Sequence, residues 1–188
     1  KLYERCLYVT LKNYFSKKIR TVTMLIKRKC VSKHFISGNA VAVDTETTGL
    51  RMYGDDRPFG ISFCNTEGHT EWFEYPVDPY TRRVLWKKDK TYYAIKRFME
   101  DATITKVFHN ANFDIGMLEA IDIGTNGRVE DTKAMAFAFN TIEPSTSLKP
   151  LSEKYLGMPA EEQDLLHKET KQARNKGVKR GYRVGDPY

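Results

Sequence analysis

The sequence predicts an α/β protein whose sheet starts with three antiparallel strands and is flanked by helices. Three observations carry that expectation. The apolar run Ala40 to Val43, ended by a turn at Gly49, reads as a buried strand. Phe59 to Cys64 and Glu71 to Tyr75 read as two more strands, joined by the hairpin signal Asn65-Thr66-Glu67-Gly68. Between Lys90 and Asp101 the period changes, and Tyr93, Ile95, Phe98 and Met99 recur at helical spacing.

In chain order, residues 1–38 are the least regular and read as a basic N-terminal extension. Leu2 to Phe15 mixes apolar, aromatic and basic residues without a clean period, as a segment lying on nucleic acid or on a membrane surface would. It lacks the cleavage site and unbroken apolar centre of a signal peptide. Met24 is an expected true start, shortly before the regular part begins. The first strand, 40–45, is followed by a polar loop from Leu50 to Pro58, and Pro76 and Pro79 punctuate the exit from the third strand. Trp86, Tyr92 and Tyr93 read as core aromatics more readily than as base-stacking ones. Ile104 to Phe108 is a fourth strand. Asn112 makes a good N-cap for a helix over 112–121, with Phe113, Met117 and Ile121 on one face. The loop Gly124-Thr125-Asn126-Gly127 leads to a short strand near Val129. A helix is expected from Asp131 to Phe139, and another from Leu148 that ends at Gly157.

Asp44 and Glu46 sit two apart at the end of the first strand, so their carboxylates project from the same face. Paired carboxylates repel, and burial worsens the repulsion. A cation between them resolves it, and hard oxygen ligands suit Mg²⁺ or Mn²⁺. The plainer reading is a strand-end Asp in a polar turn with a solvated Glu. Asp114 falls in the first turn of the helix after Asn112, where the helix dipole alone favours an acid. Beside Asp44 and Glu46 it becomes a candidate third member of a carboxylate cluster.

Length suits one domain: 188 residues build a single core and are too few for two ordinary ones. No apolar run approaches bilayer length, so a soluble protein with no membrane-embedded partner is expected. Cys6, Cys30 and Cys64 are scattered and odd in number, which argues against a disulfide framework or a zinc site. The net charge of +7 is uneven. Residues 1–38 hold ten Lys or Arg and one acid, and residues 168–183 hold seven and one. Residues 39–167 hold fourteen basic and twenty-one acidic residues. An acidic, cation-demanding core between cationic segments suits a partner with a phosphate backbone, although charged tails also serve solubility alone.

Asp44-Thr45-Glu46 on a strand, followed by Asn110-x-x-Phe113-Asp114 at a helix start, resembles the first two motifs of the DEDD 3′–5′ exonuclease superfamily, whose fold is ribonuclease-H-like. The text from Asp56 through Asp78 resembles, more narrowly, the proofreading domain of family A DNA polymerases, the phage type especially. The similarity covers roughly residues 39–165.

The resemblance implies a mixed sheet, antiparallel over strands one to three and parallel beyond. It implies hydrolysis of phosphodiester bonds at single-stranded or frayed DNA 3′ ends, with release of nucleoside 5′-monophosphates. Asp44, Glu46 and Asp114 would be the catalytic ligands of two divalent cations, Mg²⁺ or Mn²⁺, roughly 4 Å apart. Thr45, Thr47, Leu50, His109, Asn110 and Phe113 would bind the substrate strand, with Leu50 wedged between the last two bases. A polymerase domain is expected downstream, in the cytoplasm of a bacterial or phage-infected cell.

The third motif departs from the family pattern. His167 would need an acid at position 172, which is Gln172. Tyr182 and Asp186 satisfy the Tyr-x-x-x-Asp spacing, but Gly181, Gly185 and Pro187 make a poor helix. The expected organisation is therefore an exonuclease domain over 39–165 and a basic segment over 166–188, truncated before the third motif. A single-stranded nucleic-acid-binding module and a stand-alone exonuclease acting on RNA are the competing readings.

Overall fold

The computed structural model describes residues 40–78 and 80–157, together with 171, 172 and 175. The basic extension, His167, the Tyr182–Asp186 stretch, Cys6 and Cys30 lie outside the described residues. Five strands, β1 (Ala40–Thr47), β2 (Pro58–Asn65), β3 (Thr70–Glu74), β4 (Thr105–Phe108) and β5 (Val129–Asp131), form one sheet in the order β3-β2-β1-β4-β5. β1–β2 and β2–β3 are antiparallel, whereas β1–β4 and β4–β5 are parallel. The expected ribonuclease-H-like architecture is present, with an antiparallel start and a parallel end.

β1 alternates half-buried and buried residues along Ala40 to Thr45, the period-two pattern of a strand with one face in the core. Val43 pairs with Phe63 and Thr45 with Ile61, and these side chains point into the core. Asp44 faces Ser62 and Glu46 faces Gly60 on the other side. The register shifts between Glu46 and Thr47, a bulge at the strand end that carries the acids. At Gly60, an added Cβ would lie 2.0 Å from the Trp72 ring, so only hydrogen fits.

The crossover from β3 to β4 runs through α1 (Lys90–Glu100), capped by Asp89, whose carboxylate accepts the Tyr92 N–H. Its buried stripe is Tyr92, Ile95, Phe98 and Met99. The spacing alone suggests Tyr93 in place of Tyr92, but Tyr93 is 52% exposed. The Tyr92 hydroxyl donates to the Ile121 carbonyl, which gives a phenol in the core a polar partner. Trp86 stacks on Tyr75 and donates to the Pro58 carbonyl, as a core aromatic should.

Lys106 on β4 has no exposed surface. Its ammonium is held by the carbonyls of Asp101 and Asn126, which ties the end of α1 to the loop before β5. Three further helices follow in the described residues: α2 (Ala111–Glu119), α3 (Thr132–Phe139) and α4 (Leu148–Leu156). Gly157 ends α4 in the left-handed region, at φ 62°.

The start of α2 differs from the sequence expectation. Asn112 is an exposed residue inside the helix, and the cap position is Asn110, left-handed at φ 77° and without a side-chain cap bond. The N–H groups of Asn110 and Ala111 are taken instead by the carboxylate of Asp131. The same carboxylate accepts from Lys133 and Ala134 at the start of α3. One acid thus caps two helices, and a cap read from local spacing alone falls on the wrong residue.

Candidate active site

The acids of the first motif leave β1 at its C-terminal end, both half-buried. Asp114 comes to the same strand end from the first turn of α2. It is 4% exposed. Its Oδ1 accepts two hydrogen bonds from Thr45, 3.0 Å from the backbone N–H and 2.7 Å from Oγ1, across 69 residues of sequence. Burial pushes the Asp114 carboxyl up to about pH 7. The Thr45 donors pull it down, and the negative charge on Asp44 adds to the rise. Asp44 is therefore close enough to Asp114 for the two charges to repel.

Among the described residues, no three His, Cys, Asp or Glu side chains are gathered into a group that could hold a metal ion. Asp44 and Glu46 leave one face of β1, while Asp114 is docked through Thr45, whose side chain lies on the other. The donor chemistry nonetheless fits a hard divalent cation. All the oxygens are carboxylate, one is buried at great cost when charged, and its neighbour opposes that charge.

The residues expected at the substrate are distributed around this strand end. Thr45 is buried and has both donors committed to Asp114, so here it orients a carboxylate. Thr47 is half-buried and donates to the Gly49 carbonyl. Leu50 is 81% exposed and takes no part in the core. His109 is half-buried, with Nδ1 2.9 Å from the Thr132 hydroxyl, which itself donates to the Phe108 carbonyl. Burial keeps the imidazole below its usual pKa. Asn110 accepts from Lys133 through Oδ1, and Phe113 is half-buried on α2.

Asp131 is a structural acid, as its cap role predicts. Burial would raise its pKa, but backbone N–H donors from Asn110, Ala111, Lys133 and Ala134 outweigh it and hold the carboxyl below the usual range. Sequence reasoning missed Asp56. Its carboxylate accepts from the N–H and Nε of Arg51 and lies where a Cβ on Gly49 would be, 2.6 Å away. It closes the β1–β2 loop on itself at the rim of the site. The Gly49 turn in the sequence marked the place but not the partner.

Residues 19–178 match a family model described as 3′–5′ exonuclease. The DNA polymerase DpoZ of Salmonella phage PMBT28 is 36% identical over 130 residues, 69% of this chain and 19% of the polymerase. The chain thus aligns with about a fifth of that relative's length. Among solved structures, Brucella melitensis NrnC with bound Mg²⁺ aligns with a TM-score of 0.54 at 24% identity, covering 68% of this chain and 58% of NrnC. Escherichia coli RNase D, an exoribonuclease involved in structured RNA processing, aligns with a TM-score of 0.50 at 21% identity, covering 67% of this chain and 30% of RNase D. The two solved structures share the fold.

Proposed function

The chain belongs to the 3′–5′ exonuclease family, and on that premise we propose that it is the proofreading domain of a DNA polymerase. It would hydrolyse the terminal phosphodiester bond of single-stranded or frayed DNA 3′ ends and release nucleoside 5′-monophosphates. One observation carries the reading: a buried carboxylate, Asp114, is returned across 69 residues to the strand that bears Asp44 and Glu46. Burial raises its pKa to about 7, and Asp44 adds to the rise, so the charged form costs the fold and a cation bound beside it would offset that cost. The phage polymerase relative makes DNA the favoured substrate and a polymerase domain the expected partner.

Asp44, Glu46 and Asp114 would hold the divalent cations, Mg²⁺ or Mn²⁺, two in this reading. Bound there, the metal supplies Lewis acidity and activates water for attack on phosphorus. The protein's own residues do the rest. Thr45 fixes the Asp114 carboxylate with two donors, so that binding a cation displaces a proton without first ordering the side chain. Leu50 stands clear of the surface at the rim, where it can enter between the last two bases. Thr47, His109, Asn110 and Phe113 line the approach of the strand. No base readout is needed, because a mismatched end costs less to unpair than a matched one.

The test is to incubate 3′-labelled single-stranded DNA and RNA with Mg²⁺ or Mn²⁺, using wild type and Glu46→Ala. Metal-dependent loss of DNA 3′ ends that disappears in the variant is the expected result. Binding without cleavage would identify a binding module instead, and faster shortening of RNA would identify a ribonuclease.

A further inference from the structure

We infer that the turn between β3 and α1 is a second nucleic-acid contact, which grips the substrate strand upstream of its 3′ end. The inference rests on the exonuclease reading for the identity of that strand.

Topology brings the turn to the site. β1 and β3 are both antiparallel to β2, so they run in the same direction and end at the same edge of the sheet. β1 delivers the acids to that edge. β3 delivers the segment after Glu74, two strand spacings away, or about 10 Å. Trp86 fastens this segment to the edge by donating 2.7 Å to the carbonyl of Pro58, which itself pairs with Thr47 at the end of β1.

The turn is built to hold its side chains outward. A bridge between Val77 and Val84 closes it, with Asp78 N–H donating to Arg83 and Arg82 N–H donating to Asp78. The Asp78 carboxylate accepts from the N–H groups of Tyr80 and Thr81, so the turn's acid is spent on its backbone. Residues 79–88 contain four Lys or Arg and no acid. Tyr80 is 86% exposed, and Arg83 and Lys87 are exposed.

The neighbouring β1–β2 loop has the same character. Tyr53 is 97% exposed, and the Arg51 side chain is 74% exposed even though Asp56 holds its Nε. Rings with open faces beside cations are what a single strand requires: phosphates displace counterions at the cations, and bases stack on the rings. The carboxylates repel that same backbone, so a grip beside them supplies affinity that the reacting centre cannot.

The experiment compares two double variants of the full chain that remove equal charge. Arg83→Ala/Lys87→Ala alters the turn. Arg97→Ala/Arg128→Ala alters the last turn of α1, which leads into β4, and the residue before β5, and so the opposite end of the sheet, where β4 and β5 begin. Binding of a labelled single-stranded DNA of about ten nucleotides is followed by anisotropy in EDTA against salt, and cleavage of a dinucleotide is followed with Mg²⁺. The turn variant is expected to reduce the slope of log affinity against log salt by about 1.4, at ~0.7 for each phosphate no longer neutralised. The opposite-end variant leaves the slope unchanged, Tyr80→Ala weakens binding about tenfold, and the turn variant cleaves the dinucleotide at the wild-type rate. Equal slopes for the two double variants, or a parallel loss of dinucleotide cleavage in the turn variant, would overturn the inference. If wild type binds but never cuts, and the turn variant still lowers the slope, the exonuclease reading fails while the contact stands.

Discussion

Asp114→Asn separates the charge of the buried acid from its hydrogen bonds. An amide oxygen still accepts from the Thr45 N–H and Oγ1, so the docking of α2 onto β1 is retained. What disappears is the charge. The carboxyl is raised from its ordinary 3.8 to about 7 by burial and by Asp44. Between these values the folded protein holds a proton that the unfolded chain has released, so stability falls as pH rises from about 4 to about 7. The interval corresponds to ~4 kcal/mol at 1.36 kcal/mol per pH unit. In EDTA at pH 8 the variant is therefore expected to be ~2–4 kcal/mol more stable than wild type. At pH 4 the two should nearly coincide. Mg²⁺ at pH 8 should restore much of the wild-type stability, leave the variant unmoved, and support cleavage only by wild type. Urea unfolding across the pH series, with a cleavage assay beside it, measures all three. A variant no more stable at pH 8 than wild type, or shifted equally at both pH values, would refute the claim that this carboxylate is charged at the expense of the fold.

Three other perturbations follow from the same geometry. Thr45→Val removes the 2.7 Å hydroxyl bond to Asp114 and keeps the N–H. The pH midpoint of Mg²⁺-dependent activity should rise by about one to two units, for a charge-assisted bond of ~1.5–3 kcal/mol. Thr45→Ser should restore it, and a pH–rate profile identical to wild type in the valine variant would count against the pairing. Asp131→Ala strips four backbone donors of their acceptor at the starts of α2 and α3. It should cost about 2 kcal/mol or more in urea unfolding, and a loss under ~0.5 kcal/mol would contradict the shared cap. Gly60→Ala drives a methyl into the Trp72 ring and should cost ~1–3 kcal/mol. Trimming the ring with Trp72→Phe in the same chain should recover part of that loss.

Local spacing sufficed for most of the fold. A strand alternating in burial, a hairpin at Asn65–Gly68, a helix period after Lys90 and a glycine at 157 each act over a few residues, so they are readable without knowing the neighbours. The errors arose where a neighbour decided. Tyr92 rather than Tyr93 is buried because the Ile121 carbonyl is there to receive its hydroxyl. Asn112 yields the cap of α2 to an acid that bonds Ala111 from 20 residues downstream. Asp56 was unreadable as a buttress, since nothing local says that a loop acid will press against Gly49.

The candidate site divides along the same line. By itself the sequence determined which chemistry is on offer: hard carboxylate oxygens on a strand end and a helix start, in a family that cuts nucleic acid from its 3′ end. Residue type and short-range period carry that information. Only the tertiary structure decided that Thr45 and Asp114 meet, that Asp44 charges the same small volume, and that a basic turn shares their edge of the sheet. Those relations depend on which strands run in the same direction and what their burial excludes from water. Charge repulsion and desolvation act through space, and a chain read end to end has no distances in it.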